Sequence, residues 1–269
     1  MSVVTFFGSD RIETSQTASL SAIATYLSIE QNYRILIINA NYNDSSFQDF
    51  FWEENKNVKP RADLETGITG LVKATASNKI SPEIITNYTK TIFKDRLELL
   101  TDGNIPKEDY EKQKTYMKNI VKMANKYYDL VFIDIKGNIE APYIQEILAE
   151  SDLIVANTSQ RIKKIKQFLE ERRRFTVINK KNVIILIGKY DKFSKYNVKN
   201  IQRLFVKQEI YAIPYNTTFF ESCSEGQVAD FIINYRKEKQ ASAQGPIIEA
   251  ISKVSNAIIN KLKELKLQV

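Results

Sequence analysis

Apolar residues follow two rhythms along this chain. The first is a set of short, nearly unbroken runs: Val3–Phe7, Ile35–Ile38, Leu97–Leu100, Leu130–Ile133, Leu153–Ala156, Val183–Ile187 and Ile210–Ile213. Runs this short, rich in Val and Ile, predict strands buried on both faces. The second rhythm places apolar residues three and four apart over longer stretches. It predicts helices at Gln16–Glu30, Leu64–Ser77, Lys107–Lys126, Ala141–Ala149, Ile162–Arg174, Val198–Phe205, Phe219–Glu225, Gln227–Arg236 and Pro246–Leu265. Strands that alternate with helices predict an α/β fold, a mostly parallel, doubly wound sheet flanked by helices. Pro82, Pro106, Pro142, Pro214 and Pro246 stand near predicted element starts, where a missing N–H does least harm. No Pro/Gly/Ser-rich linker and no repeat divides the chain. A single domain over 1–269 is expected, with a C-terminal packing helix at about 246–265.

Composition narrows the chemistry. The chain has no histidine, which excludes His-dependent triads, imidazole acid–base catalysis and most zinc sites. A single cysteine, Cys223, excludes an intramolecular disulfide and suits a reducing compartment. No apolar run approaches the ~20 residues of a membrane span. The first residues show no basic segment leading into a cleavable apolar stretch. The expected location is the cytoplasm. A net charge of +7 admits an acidic partner, a nucleic acid or an anionic surface.

Six segments carry the candidate chemistry. The first strand run leads through Gly8-Ser9-Asp10-Arg11-Ile12-Glu13-Thr14-Ser15-Gln16 into a helical run that opens on Thr17. Strand, short loop and helix start make the layout of a phosphate loop, whose backbone N–H groups face an anion. Asp129-Leu130-Val131-Phe132-Ile133-Asp134 places a carboxylate where a buried strand ends, the side on which open α/β sheets bind ligands. Arg34-Ile35-Leu36-Ile37-Ile38-Asn39-Ala40-Asn41 ends a second strand in two amides. The runs Asp152–Gln160, Val183–Asp191 and Ile210–Asn216 complete the series.

In this order, over roughly 3–237, these segments resemble the ParA/MinD family of ATPases. The resemblance implies a loop reading Lys-Gly-Gly-x-Gly-Lys-Thr, a Walker B aspartate near Mg²⁺ at Asp134, and carboxylates at positions 39 and 41. Aligned here, the two lysines fall on Asp10 and Ser15, the glycines on Arg11, Ile12 and Thr14, and the metal-binding Thr on Gln16. Asn39 and Asn41 stand where the family carries Asp. Gly188 replaces a base-proximal Asn, and Ile135-Lys136-Gly137 replaces the Thr-Pro-Pro that usually follows Walker B.

Each change removes a catalytic role. Ile12 resists the positive φ of a phosphate cradle. Ser15 carries no charge for the β/γ-phosphates, and Gln16 lacks the hydroxyl that ligates Mg²⁺. Asp10 and Glu13 add negative charge where a polyanion would sit. A pocket that survived would draw on Gly8, Ser9, Arg11, Thr14, Thr17, Asp134, Lys189 and Pro214. No catalytic residue is expected intact, and no metal site, Asp134 serving one only if a magnesium-nucleotide binds. The expectation is a pseudo-ATPase without cofactor that acts as a localisation or assembly platform. The alternative is a divergent Mg-ATP enzyme that uses Arg11 or Lys136 for the missing lysines, with or without nonspecific DNA binding.

The run from Pro214 to Val228 resembles most the TadZ/CpaE-like branch, whose members place pilus or secretion machinery. A protein partner is implied, and a homodimer whose state ignores nucleotide, since Asp10 replaces the lysine that reaches across the family's dimer. Phe47, Phe50, Phe51 and Trp52 are either exposed anchors for it or part of a loop packed onto its own domain. On the 162–174 helix, Ile162, Ile165, Phe168 and Leu169 share one face. Arg172, Arg173 and Arg174 lie off it and are the DNA-binding candidates. The terminal helix carries a stripe of Ile247, Ile251, Val254, Ile258, Leu262 and Leu265. That stripe suits packing on the sheet better than a membrane surface, having no Phe or Trp.

Overall fold

A computed structural model describes residues 1–8, 14–53, 66–77, 81–102, 104–206, 208–238 and 241–267. The strands are β1 (Ser2–Gly8), β2 (Ile35–Asn39), β3 (Lys90–Phe93), β4 (Leu97–Leu100), β5 (Leu130–Lys136), β6 (Leu153–Thr158), β7 (Asn182–Tyr190) and β8 (Glu209–Pro214). The helices are α1 (Gln16–Glu30), α2 (Ser46–Phe51), α3 (Gly67–Ser77), α4 (Lys107–Tyr127), α5 (Pro142–Glu150), α6 (Ile162–Arg174), α7 (Thr176–Asn179), α8 (Val198–Leu204), α9 (Thr217–Ser224), α10 (Val228–Tyr235) and α11 (Gly245–Leu267). A 3-10 helix, Pro82–Tyr88, precedes β3.

The strands form one eight-stranded sheet in the order β3-β4-β2-β5-β1-β6-β7-β8. All pairings are parallel except β3 with β4. The central strands are buried along their whole length, as their unbroken apolar runs require. Alternation within each strand feeds two cores. Val4, Phe6, Leu130 and Phe132 face α1, α2, α9, α10 and α11. Val3, Val131, Ile133 and Ile135 face the other layer, built from α3, α4, α5 and α7.

Helix α1 is buried on nearly every side, residue after residue from Gln16 to Thr25. Its many Ala, Ser and Thr side chains let the sheet and α11 approach closely. The stripe of α11 is covered: Ile247, Ile251, Val254, Ile258 and Leu262 are all buried. Among the described residues no helix is long and apolar enough to cross a membrane.

Three elements depart from the sequence expectation. Strand β3 and its turn to β4 escape the apolar pattern because Lys90-Thr91-Ile92-Phe93 is a short, half-exposed edge. Of the two readings of the Tyr42–Trp52 stretch, the structure takes the one packed onto its own domain, and as a helix rather than a loop. The stretch folds as α2, with Phe47 and Phe51 buried in the core of its own domain and Phe50 and Trp52 packed against them. Strand β5 runs past Ile133 to Lys136, so Asp134 lies inside the strand, paired in register with Phe6 on one side and Asn39 on the other.

Candidate functional site

The extra length of β5 decides the site. Side chains two residues apart in a strand share a face, so Asp134 and Lys136 both point to the α1 layer. The first turn of α1 sits against them. Thr17 Oγ1 donates to Asp134 Oδ2 at 2.7 Å. Gln16 Nε2 donates to Asp134 Oδ1, and to the carbonyls of Phe6 at 3.0 Å and Ile135 at 3.1 Å. The hydroxyl beside the Walker B-like aspartate thus comes from Thr17, one residue beyond the position the resemblance gives it.

Lys136 completes the cluster. Its ammonium donates to Thr17 Oγ1 at 2.6 Å and to Asp44 Oδ2 at 3.0 Å, and lies 3.6 Å from Asp134 Oδ2. The side chains are dry: 5% exposed for Lys136, 10% for Asp44 and 0% for Asp134. Burial acts to raise both carboxyls. At Asp44 the neighbouring Lys136 charge and the hydrogen bonds from Ser46 outweigh it and hold the carboxyl below its usual range. At Asp134 burial prevails and pushes the carboxyl up, against the pull of Lys136, Thr17 and Gln16. Lys136 Nζ stands closer to Asp44 than to Asp134, 3.0 Å against 3.6 Å.

Asp44 was missed by reading the sequence. Its one signal is local: in Asp44-Ser45-Ser46 an acidic side chain precedes a helix start. Its other oxygen indeed accepts from Ser46 N at 3.0 Å and Ser46 Oγ at 2.5 Å.

Asn39 and Asn41 hold the same corner from behind. Asn39 Nδ2 donates to the Asp44 carbonyl at 2.7 Å, and its Oδ1 accepts from Asn41. Asn41 donates from Nδ2 to the Asp134 carbonyl at 3.1 Å and accepts from the Lys136 N–H at 2.9 Å. A carboxylate at either position could not donate these bonds. The amides are structural stitches across β2, β5 and the start of α2.

Two glycines make room for the start of α1. Gly188, on β7, leaves room for the chain at Thr14: a Cβ there would stand 1.9 Å from the Thr14 carbonyl oxygen. Gly8 likewise admits Gln16, whose Oε1 would be 2.6 Å from a Cβ at that position. Ser15 takes a left-handed conformation, φ 47°, as α1 begins. Beside Gly8, Thr14, Asn157 and Ser159 remains a cavity of about 20 Å³, room for one water. Ser9, Asp10 and Arg11, with Ile12 and Glu13, lie outside the described residues.

Lys189 and Pro214 do not join the cluster. They sit at the ends of β7 and β8, three and four strand positions from β5, which puts Pro214 about 19 Å away at ordinary strand spacing. Lys189 lies over the Phe220 ring, and Pro214 borders an open groove with Tyr190 and Tyr215.

The three arginines of α6 are unlike one another. Arg172 is half-buried and donates to Gln208 Oε1 at 2.8 Å and to the Lys181 carbonyl at 3.3 Å, and burial lowers its pKa. Arg174 pairs with Glu140 at 3.3 Å. Arg173 is exposed.

These described residues do not fit a magnesium-nucleotide. Asp134 spends both oxygens on Gln16, Thr17 and Lys136, and the point between Thr17, Asp44 and Asp134 holds an ammonium.

Strand order and helix layers define an α/β fold, a mostly parallel, doubly wound sheet with its candidate site at the strand ends. No family model and no curated sequence matches the chain. Solved structures do match its fold. A ParA family ATPase from Chlorobium tepidum superposes with a TM-score of 0.70 at 15% identity, covering 94% of this chain and 97% of that one. A protein of the MinC:MinD cell division protein complex of Aquifex aeolicus gives 0.64 at 16%, over 96% and 95%. A plasmid partition protein from Borrelia burgdorferi, bound to AMPPNP, gives 0.62 at 13%, over 100% and 99%.

Proposed function

We propose that this chain is a catalytically silent protein of the ParA/MinD type, working in the cytoplasm as a localisation or assembly platform for a partner machine of the pilus, secretion or partition kind. The observation that carries the reading is the engagement of Asp134. The carboxylate that would serve a metal is wholly buried and bonded to the chain's own Gln16 and Thr17, with Lys136 beside it. Phosphoryl transfer depends on charge placed around the transferring phosphate. Here the charge is turned inward and neutralised within the protein.

The platform role draws on the company the fold keeps. Its structural neighbours include partition and cell-division proteins, one of them solved with a protein partner. The proposal extends to assembly: any homodimer is held by protein surface and ignores nucleotide, with a two-fold, self-complementary contact. Cofactors are none.

Titration calorimetry with ATP and Mg²⁺, with a phosphate-release assay on the same preparation, tests this reading. Weak or no binding and no turnover are expected. A low-micromolar dissociation constant, about −8 kcal/mol, or turnover abolished by Asp134→Ala, would sink it. Light scattering with and without Mg-ATP tests the dimer, whose appearance only with nucleotide would restore a switch.

A further inference from the structure

We propose that Lys136 is a built-in replacement for a divalent cation, and that the pocket it fills is a latent metal site which opens when its side chain is cut back. The inference rests on the silent-platform reading and adds what keeps the site silent.

Three oxygens converge on the Lys136 ammonium from three elements: Thr17 Oγ1 of α1 at 2.6 Å, Asp44 Oδ2 of the β2–α2 connection at 3.0 Å, and Asp134 Oδ2 of β5 at 3.6 Å. Two carboxylates and a hydroxyl are the donors a hard cation takes, completed by water. They are a poor set to leave buried without positive charge. The ammonium supplies one charge, tethered, and needs no ion from solution. It is also a weaker organiser than a metal, since it offers three donors where Mg²⁺ would offer six positions.

The tether fits the rest of the corner. Lys136 enters from the end of β5, and its backbone N–H is held by Asn41 Oδ1 at 2.9 Å. Asn41 in turn bonds the Asp134 carbonyl. The amides at 39 and 41 therefore add no further negative charge to a cluster that has one lysine to balance two carboxylates. Lysine at 136 and asparagine at 39 and 41 suit one another: amides in place of further charge, and a cation carried on the chain.

Removing the tether should admit a metal. In Lys136→Ala the side chain's four outer atoms leave a space facing Asp44, Asp134 and Thr17, into which a hydrated ion can pass. Mn²⁺ is the probe, followed by loss of its free EPR signal and by thermal unfolding. The wild-type protein should leave the signal and the midpoint unchanged. Lys136→Ala should bind one Mn²⁺ per chain, with the midpoint rising about 4 °C at saturating ion. Adding Asp134→Asn to Lys136→Ala should abolish both effects.

Lys136→Ala that responds no more than wild type overturns the proposal, as does wild type binding Mn²⁺ in a manner lost with Asp134→Asn. If the variant accumulates only as aggregate, refolding yields with and without Mn²⁺ replace the melt. Yields that depend on Mn²⁺ support the proposal, and equal yields, for both Lys136→Ala and Lys136→Ser, overturn it. The platform reading fails separately, by ATP turnover in wild type, whatever Mn²⁺ does to the variants.

Discussion

Replacing Lys136 by methionine should be among the most damaging single substitutions in this protein. Methionine keeps the length of the side chain and removes only the charge and its three donors. The change leaves Asp44 and Asp134, which stand 3.0 Å and 3.6 Å from the ammonium, without a cation in a dry corner. At an effective dielectric near 20, a pair at 3.0 Å attracts by about 5 kcal/mol before the cost of desolvating the lysine is set against it. Breaking a buried pair by removing one partner typically costs about 3–5 kcal/mol, because the other charge stays buried. We expect Lys136→Met to lose that much. Asp44→Asn should lose less, about 1–3 kcal/mol, since Lys136 keeps Thr17 and Asp134. The two are in contact and should not add: the double variant should recover about 2 kcal/mol of the sum. Urea unfolding followed by the single Trp52 gives all four corners of the cycle. A loss below about 1 kcal/mol for Lys136→Met, or additivity within about 0.5 kcal/mol, would refute the picture of one coupled buried cluster.

Three further outcomes follow from the same structure. Gly188→Ala should cost about 1–3 kcal/mol, because its Cβ would meet the Thr14 carbonyl at 1.9 Å and push the segment entering α1 off the sheet; a thermal midpoint equal to wild type would contradict that contact. Cys223 is buried and its thiol is pushed up to about 12, so at pH 8 about one molecule in ten thousand carries the thiolate; it should resist a thiol reagent in native buffer and react at once in urea. On α6, Arg173→Glu should leave stability unchanged and lower the salt slope of any DNA binding by about one, whereas Arg172→Glu should destabilise the fold by stranding Gln208 and the Lys181 carbonyl; equal effects of the two on DNA binding and on unfolding would refute the division.

Much of this protein was determined by local pattern. The seven apolar runs became strands because a run of Val, Ile and Leu with no polar face has to be buried on both sides, and a sheet between helix layers is the place that does so. Helices α1 and α6 begin and end at the residues their periodicity gives, Gln16–Glu30 and Ile162–Arg174. That position 15 carries no charge and positions 39 and 41 carry amides was legible too, since the residue type at each position is read directly from the chain. What could not be read was which side chains the fold brings together beside them. Strand β5 extends to Lys136 because register with β1 pairs Gly8 with Lys136, a partnership set by residues 128 positions apart. That extension puts Asp134 and Lys136 on one face, and the fold then brings in Thr17 and Asp44 from elements that no spacing rule connects. Asp44, as a sequence feature, is an ordinary turn acid. Whether Phe47 and Phe51 were interface anchors or core could not be decided along the chain, because their covering partners, on α9 and α10, lie far away in sequence. A buried ion cluster is a property of several short distances at once, and only the tertiary structure sets them.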